Sequence, residues 1–311
     1  MQTPTQTLIK ALEASSKINT CTDILGEYTL LEPAVSSCTF VDGSNAVLVN
    51  TPSFCAQLIR IAGISFNAQP AQEWKRETQE FFSLAKLTTE RMCDVENFGT
   101  RFCCGPFDLL GDDLRQGLHA ASVAAVAGIV RRLAELSMAQ QYLSRDNTAN
   151  LLVLDGELSA QTVAEQPALA QIRAIADGQH TILSALSKTT AFVDVAGKSI
   201  PAQLLVQGPR QAWLFRAHNA TTTGFVKLHS RSQHVFKLDV AAPEQLLIAA
   251  NSLASQANDA QLPGYPYGLI AVDQLACIQR AESNQHTQHI LGHAEKVLSP
   301  AIASQNAHNF F

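Results

Sequence analysis

The sequence predicts an α/β protein in which a mixed sheet, built from antiparallel hairpin strands plus parallel strands, is flanked by helices and carries insertions. Two observations predict this class. In the first part of the chain, apolar β-type runs follow one another with only tight-turn residues between them, as sequential antiparallel strands do. Further along, helical and strand-like runs alternate in a β-α-β-α-β succession, which implies parallel strands joined by right-handed crossovers.

The first half of the chain predicts a three-stranded antiparallel sheet followed by an insertion. Residues 38–50, CTFVDGSNAVLVN, are two short β runs around Asp-Gly-Ser-Asn, which predicts a hairpin with an acid at its bend. Residues 54–66 can supply the third strand. Residues 73–90 are helical in composition and residues 92–111 contain Gly, Pro and paired Cys, so we expect an insertion over about 73–112.

The second half predicts a long helix over 113–143, followed by the apolar run NLLVL, which ends at Asp155 as a strand buried on both faces does. The same patterns predict a helix at 167–178, a strand at 180–187, β pieces at 203–206, 212–216, 224–228 and 234–240, and helices at 243–257 and 265–280. We expect an amphipathic helix at 5–18, a core of about 36–282 and a polar tail at about 299–311. Because no repeat or linker interrupts the chain, residues 1–311 predict a single domain.

Composition limits the classes of function. With 46% hydrophobic and 16% charged residues, the chain is a core-rich globular protein rather than a disordered one. Its 22 Lys and Arg against 27 Asp and Glu give a formal charge of -5, which excludes a surface coated in positive charge but allows a local basic groove. The clearest apolar stretch, 116–130, is shorter than the about 20 residues that cross a bilayer. The amino terminus does not resemble a signal peptide, and seven cysteines without a C-x-x-C pair indicate reduced thiols, so we expect a cytoplasmic protein.

Four acids stand where the chain can aim them into a common site: Asp42, Glu135, Asp155 and Asp273. Each lies among apolar residues, where an isolated carboxylate is costly unless it is paired or binds a metal. Hard divalent cations such as Mg²⁺ or Mn²⁺ prefer oxygen ligands, and four carboxylates balance the charge of two such ions. The set therefore predicts a two-cation site for phosphodiester cleavage, beside which Lys188 can contact the scissile phosphate or hold the attacking water.

Each of these residues also has a purely structural interpretation. Asp42 can be a turn-forming residue, and Glu135 can pair on the helix surface with Arg131 or Arg132. Asp155 can simply end a strand, and Lys188 can be a solvated loop cation. Only the conjunction of the acids favours the metal site.

Five short motifs occur along the chain: VDGSN at 41–45, RRLAEL at 131–136, LLVLDGEL at 151–158, LSKTT at 186–190 and GYPYGLIAVDQLA at 264–276. In this order and approximate spacing they resemble the NurA family of DNA-repair nucleases. The resemblance implies a ribonuclease H-like core and a Mn²⁺-dependent nuclease that acts on DNA ends and single strands with 5′ to 3′ polarity. It also implies a homodimer and a HerA-type hexameric ATPase as partner.

The resemblance assigns roles to individual residues. Asp42 matches the family's first metal-binding acid, Glu135 its helical acid, Asp155 its second strand acid and Lys188 the lysine after the next strand. The motif that contains Tyr265 and Pro266 places Asp273 where many members have a histidine ligand, which leaves the choice between Mn²⁺ and Mg²⁺ open. The second strand motif reads Asp-Gly-Glu where Asp-Gly-Ser is commoner, so Glu157 is either an extra ligand or simply exposed.

The expected mechanism is two-cation phosphodiester hydrolysis without a covalent intermediate, with Asp42 and Asp155 as bridging ligands. DNA contact would fall to a local groove of cations and a stacking aromatic ring, for which the candidates are Arg131, Arg132, Lys188, Lys227, Arg231, Lys237 and Tyr265.

Two other functions compete with the nuclease. An actin-like or sugar-kinase ATPase also opens with an acid-glycine hairpin, but it needs a second glycine-rich phosphate hairpin that LDGELSAQTVAEQ does not supply. A non-catalytic subunit that docks on a DNA translocase would keep the fold, although the acids at 42, 135 and 155 count against it.

Overall fold

The computed structural model describes residues 25–68, 75–115, 117–145, 149–188, 192–194, 197–218 and 220–303. The helix predicted at 5–18 and the end of the polar tail lie outside these residues. The strands are β1 Gly26–Leu30, β2 Cys38–Asn50, β3 Phe54–Phe66, β4 Lys75–Leu87, β5 Met92–Phe98, β6 Phe107–Asp108, β7 Leu151–Asp155, β8 Ile182–Ser187, β9 Trp213–Ala217, β10 Thr223–Lys227 and β11 Phe236–Val240. The helices are α1 Val123–Arg145, α2 Glu165–Gly178, α3 Ile200–Gln207, α4 Leu246–Ser255, α5 Tyr267–Ala276 and α6 Arg280–Ala303.

The chain forms two compact units. Among the described residues, the larger unit comprises those of 35–185 and 267–303, and the smaller unit comprises those of 25–34 and 186–266. In the larger unit the strand order is β8-β7-β2-β3-β4-β5-β6, and in the smaller unit it is β1-β9-β10-β11. That the whole of 1–311 forms one domain stays a prediction.

The sheet of the larger unit is mixed, as predicted. Strand β2 pairs antiparallel with β3, which pairs antiparallel with β4, and β4 does so with β5. On its other edge β2 pairs in parallel with β7. This combination is what a hairpin sheet extended by a crossover connection produces.

Helices cover both faces of β2 in the larger unit. Side chains alternate between the faces of a strand, so neighbouring residues of β2 face opposite layers. Gly43 faces α1, because a Cβ there would lie 2.8 Å from Oε1 of Glu135. Phe40 faces α5, because a Cβ on Gly268 would lie 2.2 Å from its ring. The α1 and α5 layers therefore reach β2 from opposite sides.

The smaller unit is an antiparallel sheet with its own core. Trp213 and Phe215 of β9 are almost fully buried, together with Leu204 of α3 and Val235. The ring of Tyr28 on β1 packs edge-on against Trp213, with centroids 5.0 Å apart. This core includes no residue of the predicted acidic set.

The predicted hairpin bend at Asp42–Asn45 is wrong, because β2 runs straight through it. Residues 42–45 pair with residues 59–62 of β3, and the antiparallel ladder overrides the local turn preference. The chain reverses instead at Thr51, whose hydroxyl accepts a hydrogen bond from Phe54 N at 3.0 Å. The glycine at 43 serves a close approach between layers and not a turn.

Three further element predictions are wrong. Residues 75–87 form strand β4 rather than a helix, since Phe81, Ser83 and Ala85 are buried with period two while the residues between them are more exposed. The predicted loop at 92–111 contains strands β5 and β6. The predicted strand at 203–206 lies in α3, which starts at the N-cap Ser199 with proline in its first turn.

The remaining elements agree with the sequence in type. The strands predicted at 54–66, 150–154 and 180–187 correspond to β3, β7 and β8, and the helix at 167–178 to α2. The predicted long helix starts only at Val123, and the helix predicted over 265–280 is interrupted between α5 and α6. Among the described residues no helix is both long and apolar enough to cross a membrane. The described cysteines are all free thiols.

Arg60 of β3 links the turn between α5 and α6 to the sheet through hydrogen bonds and ion pairs. Its guanidinium forms ion pairs with Glu80 of β4 and Glu282 of α6, and Nη1 donates to the carbonyl of Cys277 at 2.8 Å. The Arg60 hydrogen bonds hold the pKa of Glu282 below its ordinary value. This contact anchors the end of α5 over the sheet.

Replacing Gly268 with alanine should destabilise the larger unit by about 1 to 3 kcal/mol, because the new methyl group would overlap the ring of Phe40. The matched control is Gly292→Ala on α6, where a Cβ meets nothing within 4 Å and the helix should gain stability. Urea unfolding of both variants measures the difference. Equal stability of the two variants would contradict the close packing of α5 on β2.

Replacing Glu282 with glutamine should reduce the loss of stability in acid. Because Arg60 lowers the pKa of Glu282 in the folded state, the carboxylate contributes stability above its ordinary pKa of 4.5, and this contribution is lost as the pH falls through the folded pKa. Thermal unfolding between about pH 6 and pH 3 should therefore show a shallower decline for the variant than for the wild type. Parallel curves would refute the contribution of this ion pair.

Candidate functional site: a three-carboxylate centre

Asp42 and Asp155 come together through the register of two parallel strands. Val41 of β2 is paired with Leu154 of β7, so the next residue on each strand is an aspartate at the same end of the sheet. Both strands are buried up to that point, which holds the two positions rigidly. The Oδ1 atom of Asp42 accepts a hydrogen bond from Gly43 N at 2.8 Å, and Gly156 leaves β7 with a φ of 99°. That left-handed conformation favours glycine directly after the acid.

Asp273 reaches the same place from α5. The helix lies close on β2 because Gly268 carries no side chain against Phe40, and Asp273 follows five residues later on the same helix. Asp42, Asp155 and Asp273 each offer a carboxylate oxygen, and these three oxygens lie within 4.8 Å of one another. Asp42 is buried, Asp155 is half-buried and Asp273 is exposed, so the cluster opens to solvent on the side of α5.

The three-carboxylate cluster has the donors that a hard divalent cation requires. Oxygen is the ligand that Mg²⁺ and Mn²⁺ prefer, and three acids at this separation repel one another unless positive charge is placed between them. Among the described residues this is the group of at least three acidic, His or Cys side chains that meets this separation. The residues therefore fit a divalent cation.

Glu135 does not belong to this cluster of three. It extends from α1 across Gly43, and only 2% of its surface is exposed. Arg131 and Arg132 both form ion pairs with its carboxylate. Burial raises the pKa of Glu135, and the two guanidinium groups oppose that rise. Its predicted role as a metal ligand stays a prediction.

A cavity of about 350 Å³ joins these residues in the larger unit. Asp42, Asp155, Glu135 and both arginines line it. So do three residues that the sequence analysis missed: Gln161, Thr162 and Glu165.

The missed acid, Glu165, is buried at the start of α2. Its carboxylate accepts hydrogen bonds from Gln161 N at 3.2 Å and from the Thr162 hydroxyl at 3.1 Å. The spacing Thr-x-x-Glu is a capping-box signal at the start of a helix, and it could have drawn attention to this wall of the cavity.

Glu157 and Lys188 are the remaining residues for which a role at the site was predicted, and Glu157 lines the same cavity. Glu157 is half-buried, and its carboxylate accepts a hydrogen bond from Ser159 at 2.9 Å. Lys188 belongs to the smaller unit, where its ammonium lies 5.7 Å from the centre of the Tyr265 ring. This cation–π contact connects two of the predicted residues within the smaller unit.

The cations predicted to bind DNA in the smaller unit differ in accessibility. Lys227 is buried and donates to the carbonyl of Arg210 at 2.9 Å, and Lys237 is buried in an ion pair with Asp239 at 3.1 Å. Arg231 is exposed. DNA contact by these side chains stays a prediction.

The chain resembles known proteins in its fold. No family model matches the chain, and no curated protein matches it. The structure is similar to the crystal structure of the NurA nuclease from Sulfolobus solfataricus, with 11% identity, a TM-score of 0.57, and coverage of 94% of this chain and 95% of that chain. A second NurA crystal structure gives 10% identity, a TM-score of 0.52, and coverage of 96% and 98%. A NurA with manganese gives 9% identity, a TM-score of 0.49, and coverage of 93% and 96%.

At these identities the similarity concerns the fold. The chain has a NurA-like, ribonuclease H-like mixed sheet flanked by helices, and the resemblance that the motifs predicted is confirmed at this level. Nearly the whole length of both chains is covered, so the likeness concerns the whole fold and not only a fragment of the sheet.

Replacing Asp155 with asparagine should stabilise the metal-free protein and abolish its response to metal. Removing one of three mutually repelling carboxylates relieves about 1 kcal/mol or more of repulsion, since unit charges 4 Å apart interact by about that much even in water. Mn²⁺ should raise the Tm of the wild type, because it binds only the folded state, and should raise that of the variant far less. Differential scanning fluorimetry with EDTA or Mn²⁺ measures both effects.

The matched control is Asp94→Asn, which changes an exposed aspartate on β5 of the same unit. It should keep the wild-type response to Mn²⁺. If Asp94→Asn and Asp155→Asn respond alike, the cluster is not a metal site.

Proposed function

We propose that the chain is a metal-dependent DNA nuclease of the NurA family, which hydrolyses phosphodiester bonds at Asp42, Asp155 and Asp273. The observation that carries the proposal is the convergence of three carboxylates within 4.8 Å, from β2, β7 and α5, on a NurA-like fold. A site of carboxylates open to solvent on one side suits a divalent cation and a charged polymer that must enter from outside.

The proposed cofactor is Mn²⁺ or Mg²⁺, with two ions as the charge balance suggests. Asp42, Asp155 and Asp273 would hold the ions, and Glu135 is the proposed fourth acid. Bound divalent ions supply Lewis acidity, a lowered pKa for bound water and charge stabilisation at the leaving oxygen.

The three aspartates contribute through the orientation and the position that the fold gives to each carboxylate. Asp42 is oriented by the hydrogen bond from Gly43 N, so one of its oxygens is fixed in direction before any substrate arrives. Asp155 stands at the end of a buried strand and lines the cavity. Asp273, the exposed member, is the acid that an entering strand would meet first.

The finer activity follows from the family resemblance. We propose 5′ to 3′ exonuclease and single-strand endonuclease activities in the processing of DNA double-strand breaks. The proposed assembly is a homodimer that works with a HerA-type hexameric ATPase in the cytoplasm. Lys188 is the proposed cation near the scissile phosphate.

The test is cleavage of end-labelled single-stranded and duplex DNA with Mn²⁺, Mg²⁺ or EDTA. The wild type should degrade DNA only when metal is supplied. The cleavage rate of the double variant Asp42→Ala, Asp155→Ala should be at least about 100-fold lower, because methyl groups cannot replace carboxylate ligands. Asp94→Asn should keep the wild-type rate. Labels at the 5′ and 3′ ends read the polarity directly.

If the folded wild type cleaves no DNA when metal is supplied, the hypothesis that the protein is a nuclease without a partner is refuted. The non-catalytic docking subunit would then be favoured, or a nuclease that needs its ATPase. Adding the purified ATPase separates these two outcomes, since only the second gains cleavage.

A further inference from the structure

Two neighbouring arginines of α1 line the cavity beside the carboxylate cluster, and they are bonded in different ways. Arg132 donates to three acceptors: Oε2 of Glu135 at 3.2 Å, the carbonyl of Asp155 at 3.2 Å and the carbonyl of Glu157 at 2.5 Å. Its side chain is only 13% exposed. Arg132 thus links the backbone at the end of β7 to α1, and this contact fixes the position of Asp155.

Arg131 uses a single nitrogen for its contacts. Nη1 donates both to Glu135 and to the carbonyl of Gly43, the latter at 3.2 Å. Its Nε and Nη2 atoms donate to no acceptor among the described residues, and the side chain is 31% exposed. Arg131 therefore has one edge anchored and the other edge open.

The open edge has a specific chemistry. Nε–H and Nη2–H of a guanidinium point in parallel, and this pair binds two oxygens of a phosphate in a fork that lysine cannot form. The anchored Nη1 fixes the plane of the group, so little side-chain entropy remains to be lost on binding. Glu135 neutralises one of the two arginine charges, which leaves the arginine pair with a net positive charge beside three aspartates.

We propose that Arg131 binds a backbone phosphate of the nucleic-acid strand through its Nε–Nη2 edge, at the wall of the carboxylate cavity, whereas Arg132 is a positioning residue that binds no phosphate. The inference rests on the proposed nuclease function and deepens it by assigning a phosphate subsite. Because only backbone phosphate is read, the contact is independent of base sequence and weakens with salt.

The sharpest test is binding of a fluorescently labelled single-stranded oligonucleotide, followed by anisotropy over a range of salt concentrations. EDTA or Ca²⁺ replaces the reactive ions so that binding is measured without turnover. The full-length variants are Arg131→Gln, Arg131→Lys and Arg132→Gln.

Arg131→Gln should weaken binding by about tenfold at low salt and reduce the salt slope by about 0.7, the value of one phosphate contact on a single strand. Arg131→Lys should keep the slope but lose part of the affinity, because it retains the charge without the fork. Arg132→Gln should keep the salt slope, while its Tm and its affinity for Mn²⁺ fall because the segment that carries Asp155 loosens.

The outcomes separate this inference from the proposed function. A wild type that binds DNA while Arg131→Gln binds with unchanged affinity and slope overturns the phosphate subsite alone. Equal losses of slope in Arg131→Gln and Arg132→Gln overturn the division of roles. A wild type that binds no oligonucleotide in Ca²⁺ also overturns the phosphate subsite, whereas the proposed nuclease is decided separately by the cleavage assay with Mn²⁺ or Mg²⁺.

Discussion

The parallel pairing of β2 with β7 is the constraint on which the site depends. The register Val41↔Leu154 places an aspartate at the next position of each strand, and no side-chain adjustment could bring the two carboxylates together if this register were shifted. A slip by one residue would turn one acid to the opposite face of the sheet. The buried runs that precede both acids therefore determine the chemistry as well as the core, because they fix the register.

Glycines extend this constraint to the helices on either side of the sheet. Gly268 lets α5 approach Phe40 closely enough for Asp273 to join the two strand acids. Gly43 lets Glu135 cross β2 from the opposite layer. Both positions lack a side chain because another group occupies that space, so two unrelated helices can deliver acids to one strand.

Negative charges that lie close together in the site reduce the stability of the folded protein, and the aspartates and the glutamate differ in how their charges are compensated. Three aspartates close together favour the metal-bound state, as functional sites often do at the expense of stability. The buried glutamate, by contrast, is compensated within the protein by two arginines. One of these arginines also braces the backbone of Asp155, so charge compensation and positioning of the site are carried by the same side chains.

The sequence by itself determined the mixed α/β class and the strands at β3, β7 and β8, because buried runs are local patterns. It also identified Asp42 and Asp155 from the glycine after each acid, and Asp273 from the apolar helix residues around it. It misassigned β4, where polar residues dominate the first half and Phe82 and Leu84 interrupt the alternation of the second, and the bend at Asp42, where ladder pairing outweighs turn preference. The local spacing allowed Glu135 to pair with Arg131 or Arg132, but only the tertiary structure decided that Glu135 is buried against Gly43 of β2 and that Glu165 lines the same cavity. Such relations depend on which layer each helix covers, and contacts between residues distant in sequence leave no local pattern to read.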